Sequence, residues 1–327
     1  MAEGETTLSG STPRQPRAAR WIVGACLVVL FAFPVQALPC GTQASHYALV
    51  RAFHDLTARI DDDQWMTCDK AWFNGHSYSV KAPGLAAMAL PAYSVLHHFE
   101  IVPADAQWAV WLLSLTTVVP LAIVLVWLVG RAARELIPDH ERFTVATVAV
   151  GSLILPFATV WFGHVPGATL AFAAYVLIRP GVDVVTPRRA IGAGLLAGGA
   201  VLFEYPTFLI AASLVVFLAL TRGLKPAGLM CAGGALPAAA LLLYNRWAFG
   251  SLGTMSYDNA VDRQGFSGHD TLGLNSGGFF GITMPDARVA LELLFSPRGL
   301  IALTPVVALA AYGVWLMHRR GRRAEAW

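Results

Sequence analysis

The stretch PGLAAMALPAYSVLHHF, residues 83–99, decides how the rest of the chain is threaded. It is apolar enough for a helix, yet it opens on Pro83 and Gly84, carries Pro91 near its middle and runs into His97, His98 and Glu100. A hydrocarbon core about 30 Å thick needs about 20 apolar residues per helical crossing, and an internal proline removes a helical hydrogen bond. Read as a full span, this stretch would put Arg131, Arg134 and Arg142 outside the membrane and invert every later loop. Read as an interfacial or re-entrant helix, it leaves every short basic cluster inside, as the bias of Lys and Arg toward cytoplasmic loops requires.

Working outward from that choice, apolar runs at 21–38, 107–130, 143–163, 165–178, 190–203, 205–220, 227–249 and 299–317 predict about eight transmembrane helices. The cytoplasmic loops then hold Arg131 to Arg142, Arg179 with Arg188 and Arg189, and Arg222 with Lys225. Residues 1–20, polar and carrying Arg14, Arg17 and Arg20, form a disordered cytoplasmic tail, and 318–327 a basic cytoplasmic one. Between them, 21–317 is one membrane domain with two long outer loops, 39–106 and 250–298. The run 21–38 can also be a signal peptide cleaved near Val35, Gln36 and Ala37; either way the next loop lies outside.

Composition agrees. Of the 327 residues, 56% are hydrophobic and only 13% charged, about half the charged share of a soluble protein. A net charge of +3, with the cations gathered between apolar runs, excludes a nucleic-acid groove. Cys26 and Cys231 sit in apolar runs, whereas Cys40 and Cys68 share the first outer loop and can form a disulfide in an oxidising compartment, worth about 3–4 kcal/mol. There is no Walker loop, GxSxG elbow, HExxH pair or dinucleotide fingerprint, which removes local support for ATP-driven or hydrolytic chemistry.

Chemistry is expected in the outer loops. The first has an amphipathic stretch at 45–60, then Asp61, Asp62 and Asp63, then DKAWFNGHSYSVKAPG at 69–84. Carboxylates here can act as a general base or hold a divalent cation, and Lys70 and Lys81 can pair with a phosphate. The alternative is a solvated, turn-rich loop. Glu204, with Tyr205 and Pro206, lies between two apolar runs; it is either an exposed turn or a functional intramembrane acid paired with Arg246 or Arg298. The second outer loop carries Tyr257, Asp258 and Asn259 and a glycine-rich NSGGFFG at 275–281. Arg298 can clamp a lipid phosphate through paired hydrogen bonds or snorkel to the interface as an anchor.

The KAPG and ALPAY of residues 81–93, EYP at 204–206, YNRWAFGS at 244–251 and FSPRGL at 295–300 resemble the GT-C class of polyprenyl-phosphate-sugar-dependent glycosyltransferases, which includes protein O-mannosyltransferases and lipid A aminoarabinose transferases. The resemblance covers about residues 21–316 through short motifs. It implies an all-α, GT-C-like membrane protein with membrane-parallel helices in the first outer loop. The implied reaction is an inverting one, in which an acceptor (lipid, glycan or protein) at the outer membrane face attacks a sugar linked to a lipid phosphate. The class carries an acid just after its first helix, where this chain has Cys40, Gly41, Thr42 and Gln43, and a second acid at the turn where this chain has His164. The catalytic candidates are therefore Asp61, Asp69 and His164. The candidates for holding substrate or phosphate are Lys70, His76, Tyr78, Lys81, Glu204, Tyr205 and Arg298. A divalent cation is one option as cofactor. A non-catalytic relative that keeps the scaffold, or a transporter, is the competing reading.

Overall fold

The computed structural model describes residues 41–102, 105–261 and 286–321. The apolar run 21–38, Cys40 with its expected disulfide to Cys68, and the glycine-rich stretch 275–281 lie outside the described residues.

The chain first forms helix α1 (Thr42–His54), strands β1 (Lys70–Phe73) and β2 (His76–Ser79), and helix α2 (Gly84–His98). Then follow α3 (Ala106–Thr116), α4 (Val118–Leu136), α5 (Glu141–Val150), the short α6 (Ile154–Ala158), α7 (His164–Ile178), α8 (Pro187–Phe203), α9 (Phe208–Arg222) and α10 (Leu224–Phe249). A two-residue strand β3 (Ala260–Val261) precedes α11 (Ala287–Phe295), α12 (Leu300–Leu303) and α13 (Val306–Arg319).

The expectation of an all-α chain needs correcting in residues 70–79. Asn74 and Gly75 adopt positive φ of 49° and 85°, the backbone that a tight hairpin turn requires, and they join β1 to β2 with Phe73 opposite His76 and Lys70 opposite Ser79. β3 pairs with the free edge of β1, giving the order β2-β1-β3. The small sheet thereby ties the segment after α10 back onto the hairpin.

Helix α2 has 15 residues, about 22 Å at 1.5 Å per residue, too short to cross a bilayer core. Its buried positions Leu85, Ala86, Ala89 and Tyr93 pack on Tyr47, Leu49 and Val50 of α1 and on Ala109, Val110 and Leu113 of α3.

Among the described residues, three helical stretches are long and apolar enough to cross a membrane: Ala106–Leu136, Tyr205–Arg222 and Leu224–Phe249. Counting the bent pair Ala287–Leu303 and Val306–Arg319 gives up to four. Two expected spans are broken. Residues 143–163 hold α5 and α6 instead of one helix, because the chain turns at Gly151, Ser152 bonds back to the Val148 carbonyl at 2.5 Å, and Pro156 contributes no N–H. In 299–317 the helix stops at Leu303 ahead of Pro305, and the flanking helices bend by 98°.

Helix α8 lies between α7 and α10, and small residues set how closely they approach. A Cβ on Gly194 would meet the Met230 carbonyl and one on Gly233 the Ile191 carbonyl, both inside contact distance; one on Gly198 would stand 2.7 Å from Pro237. Such glycine contacts are the ordinary means of packing helices in lipid, where apolar burial supplies no drive between helices.

The long helices alternate in direction, and their polar ends separate accordingly. At one end Arg179, following α7, pairs with Glu135 of α4; Arg134 pairs with Glu141 at 2.9 Å; and Arg222 of α9 donates to the carbonyls of Val182 and Asp183. A cavity of about 1080 Å³ reaches this end, lined by apolar side chains including Leu125, Phe172 and Leu316, with Arg320 at its rim. At the other end α7 begins with His164 and α8 closes on Glu204.

Gly194→Val or Gly233→Val is expected to cost about 3 kcal/mol or more, because neither backbone can retreat. Gly228→Ala, which meets nothing within 4 Å, should be neutral or slightly stabilising. Thermal unfolding of the detergent-solubilised variants checks this, and equal midpoints for Gly194→Val and wild type would refute the packing.

Candidate functional site

The polar end of α7 and α8 meets the first turn of α1 and the residues flanking the hairpin. Asp69, just ahead of β1, accepts from the Thr42 hydroxyl at 3.0 Å and pairs with Lys81 Nζ at 2.5 Å through the same oxygen. Ser45, one turn along α1, donates to the Asp69 carbonyl at 2.7 Å and shares a hydrogen bond with Ser79 at 2.8 Å. The Ser79 hydroxyl in turn accepts from the Lys81 amide at 3.1 Å. Thr42 and Ser45 stand three apart on one helical face, so α1 grips both sides of the Asp69–Lys81 pair.

The second ion pair joins α7 to α8: His164 Nδ1 lies 2.7 Å from Glu204 Oε1. The chain must come very close here. A Cβ on Gly163 would strike the Phe203 carbonyl and stand 2.9 Å from the Glu204 carboxylate, so only glycine fits before His164. The imidazole is flanked edge-on by Phe157 at 4.8 Å and Phe162 at 5.4 Å, yet His164 keeps 46% of its side-chain surface exposed.

His46 sits beside both pairs. It is 1% exposed, neither ring nitrogen has a hydrogen-bond partner among the described residues, and its ring lies edge-on to Trp161 at 6.0 Å. Burial, and then the charges of Lys81 and His164, push its pKa from 6.5 down to about 3, so it is neutral at physiological pH. Trp161 is pinned by its amide to Gln43 at 2.9 Å and by its indole N–H to Thr117 at 3.0 Å. Tyr257, whose ring meets Tyr205 at 5.9 Å, closes the side formed by the segment after α10. Burial raises the pKa of its hydroxyl, Lys81 opposes that, and Asp69 and Glu204 add to it. The two pairs share a site: Thr42 bonds Asp69 while the adjacent Gln43 holds the Trp161 amide, three residues from His164, and Gly84, three residues from Lys81, abuts the Leu202 carbonyl, two residues from Glu204. Ser256 holds this segment down by donating to the Val80 carbonyl at 3.0 Å.

Of the residues expected from the sequence, Asp69, Lys81, His164, Glu204 and Tyr205 come together here. Glu204 pairs with His164 instead of with Arg246 or Arg298; Arg246 caps its own helix by donating to the Gly250 carbonyl. Asp61 is engaged elsewhere, accepting from the Ser77 amide and pairing with His76, each at 2.7 Å. Lys70 donates to the Gln64 carbonyl at 3.2 Å, and Tyr78 is buried against Phe249. These four brace the hairpin. Arg298 is exposed between α11 and α12 and forms no ion pair among the described residues. Thr42, Gln43, Ser45 and His46 were missed as site residues; the one sequence signal was their i, i+3 and i+4 spacing at the start of the amphipathic stretch.

As for a cation, among the described residues no three His, Cys, Asp or Glu side chains are grouped to hold a metal ion, and the charge of Asp69 is met by an ammonium. Comparison of the chain with protein-family models, with curated proteins and with solved structures gave no match.

His46 yields a pH prediction. Its folded pKa lies below its unfolded one, so between about pH 6.5 and 3 the unfolded chain binds more protons. Stability from this group is complete above the upper value and falls by about 1.4 kcal/mol per pH unit below it. The acid limb of a thermal-shift profile should flatten in His46→Phe; an unchanged limb would show that His46 is not the group titrating.

Proposed function

We propose that the chain is a membrane glycosyltransferase of the GT-C kind, moving a sugar from a polyprenyl-phosphate donor to an acceptor hydroxyl at the extracytoplasmic membrane face. The observation that carries this reading is the meeting of the Asp69–Lys81 and His164–Glu204 pairs at the helix ends opposite the arginine clusters. With the arginine-rich end cytoplasmic, the site faces outward at the level of the lipid headgroups. The reading places the chain in the cytoplasmic membrane as a multi-pass protein with both termini inside.

Lys81 is the residue suited to a lipid phosphate. Its ammonium is held by Asp69, Thr42 fixes that carboxylate, and the cation remains part-exposed at the mouth of the cluster. In the transfer, the donor phosphodiester becomes a phosphate monoester and gains a negative charge. A pre-oriented cation stabilises that charge more in the transition state than in the ground state. Asp69, already committed to Lys81 and Thr42, positions the lysine. The half-buried Tyr257, its ring against the buried Tyr205, offers aromatic surface for a sugar ring.

The test is transfer in vesicles holding the purified chain and radiolabelled polyprenyl-phosphate sugars. Lys81→Met should lose about 100-fold or more in rate, and Asp69→Asn about 10-fold or more, with folding intact. Wild-type activity in both would remove the pair from the mechanism. Binding of polyprenyl phosphate without transfer from any donor would instead identify a non-catalytic scaffold.

A further inference from the structure

We infer that His164, oriented by Glu204, is the general base that takes the proton from the acceptor hydroxyl. This rests on the glycosyltransferase reading and assigns a role within the same site.

The described carboxylates near the cluster are each engaged, Glu204 by His164 itself. Asp69 is bound by Lys81 and Thr42, Asp61 by His76 and Ser77, and Asp63 by Arg51 at 2.9 Å. The first turn of α1 has no acid. His46 is sealed from solvent. His164 differs from all of these in having one nitrogen engaged and one face open. Its Nδ1 is directed at the Glu204 carboxylate, so the tautomer with the proton on Nδ1 donates to Glu204 and leaves the Nε2 lone pair for a substrate proton.

The surroundings restrict the ring to that use. Phe157 and Phe162 limit its rotation, and Gly163 permits the approach that puts Glu204 against Nδ1. A carboxylate behind an imidazole holds the productive tautomer and stabilises the imidazolium that forms, the arrangement used by base-assisted nucleophiles on many unrelated folds. The other titratable groups of the cluster are His46 from α1, Lys81 and Asp69 flanking the hairpin, and Tyr205 and Tyr257. The charge of Lys81 is answered by Asp69, so Glu204 remains to balance a charged His164.

The acceptor O–H gives its proton to Nε2 while its oxygen forms a bond to the anomeric carbon. The bond from that carbon to the phosphate oxygen breaks, and its electron pair leaves with the lipid phosphate monoester, which gains one negative charge beside Lys81. The proton on His164 then passes to water, restoring the base.

The experiment is the pH dependence of kcat/KM for transfer from a radiolabelled polyprenyl-phosphate sugar, with polyprenyl-phosphate binding measured in parallel on the full chain in vesicles. Wild type should lose rate tenfold per pH unit on the acid side. His164→Gln should fall by a factor of about 100 to 10,000 and lose that acid limb, with the Kd for polyprenyl phosphate unchanged within about twofold. Glu204→Gln, the milder variant, should keep a reduced rate and shift the limb to lower pH, because the imidazolium has lost its counter-charge. A His164→Gln chain with the wild-type rate and profile overturns the base assignment and leaves the glycosyltransferase reading standing. A wild-type chain that transfers no sugar overturns that reading, and the base with it.

Discussion

The last turn of α8 is held against two other backbones at once, and the polar end of the molecule depends on that contact. Gly84, at the start of α2, lies where a Cβ would be 2.5 Å from the Leu202 carbonyl, and Gly163 abuts the Phe203 carbonyl one residue on. Three chain segments therefore converge on residues 202–204, and the first side chain past them, Glu204, has His164 within hydrogen-bond reach. The same convergence sets the start of α2 beside Lys81, two residues upstream of Pro83, and so fixes the distance between the two ion pairs. Backbone against backbone cannot yield as side chains can, so the site is preorganised by the fold itself.

Helix direction does the rest. α7 runs away from the site to Arg179, α8 returns from Pro187, α9 runs away to Arg222, and α10 returns to Phe249. Each return brings an element to the polar end and each departure takes an arginine to the other. The segment after α10 then reaches back through β3 to the hairpin, which places Tyr257 over ion pairs belonging to residues far earlier in the chain.

Much of this was legible in the sequence, for identifiable reasons. The shortness of residues 83–99, with Pro91 inside, pointed to a short helix, and α2 has 15 residues. Glu204 stood out because a carboxylate between apolar runs is expensive unless used; Asp69 and Lys81 stood out as charges in the first polar loop, and His164 by its place in the resemblance. What was not legible depends on backbone geometry or on distant partners. The hairpin had its signal in Asn74–Gly75, but its strands are only four residues each and carry Lys, His and Ser, so they read as a loop. Hydropathy sums composition and does not register a turn at Gly151 or a missing N–H at Pro156, so 143–163 looked continuous. The pairing of His164 with Glu204, forty residues apart, is decided by the glycine contacts among α2, α7 and α8, and His46 is buried beside Trp161, a residue far along the chain that no local pattern announces.

The most direct test of the central claim, that this polar end receives a lipid phosphate, is photocrosslinking in vesicles with a polyprenyl phosphate carrying a diazirine beside its phosphate, mapped by peptide mass spectrometry. The account predicts labelling around Thr42–His46, Lys81 and Tyr257, competed by unlabelled polyprenyl phosphate. Label confined to the apolar cavity lined by Leu125, Phe172 and Leu316 at the opposite end, with none at Lys81, would contradict it.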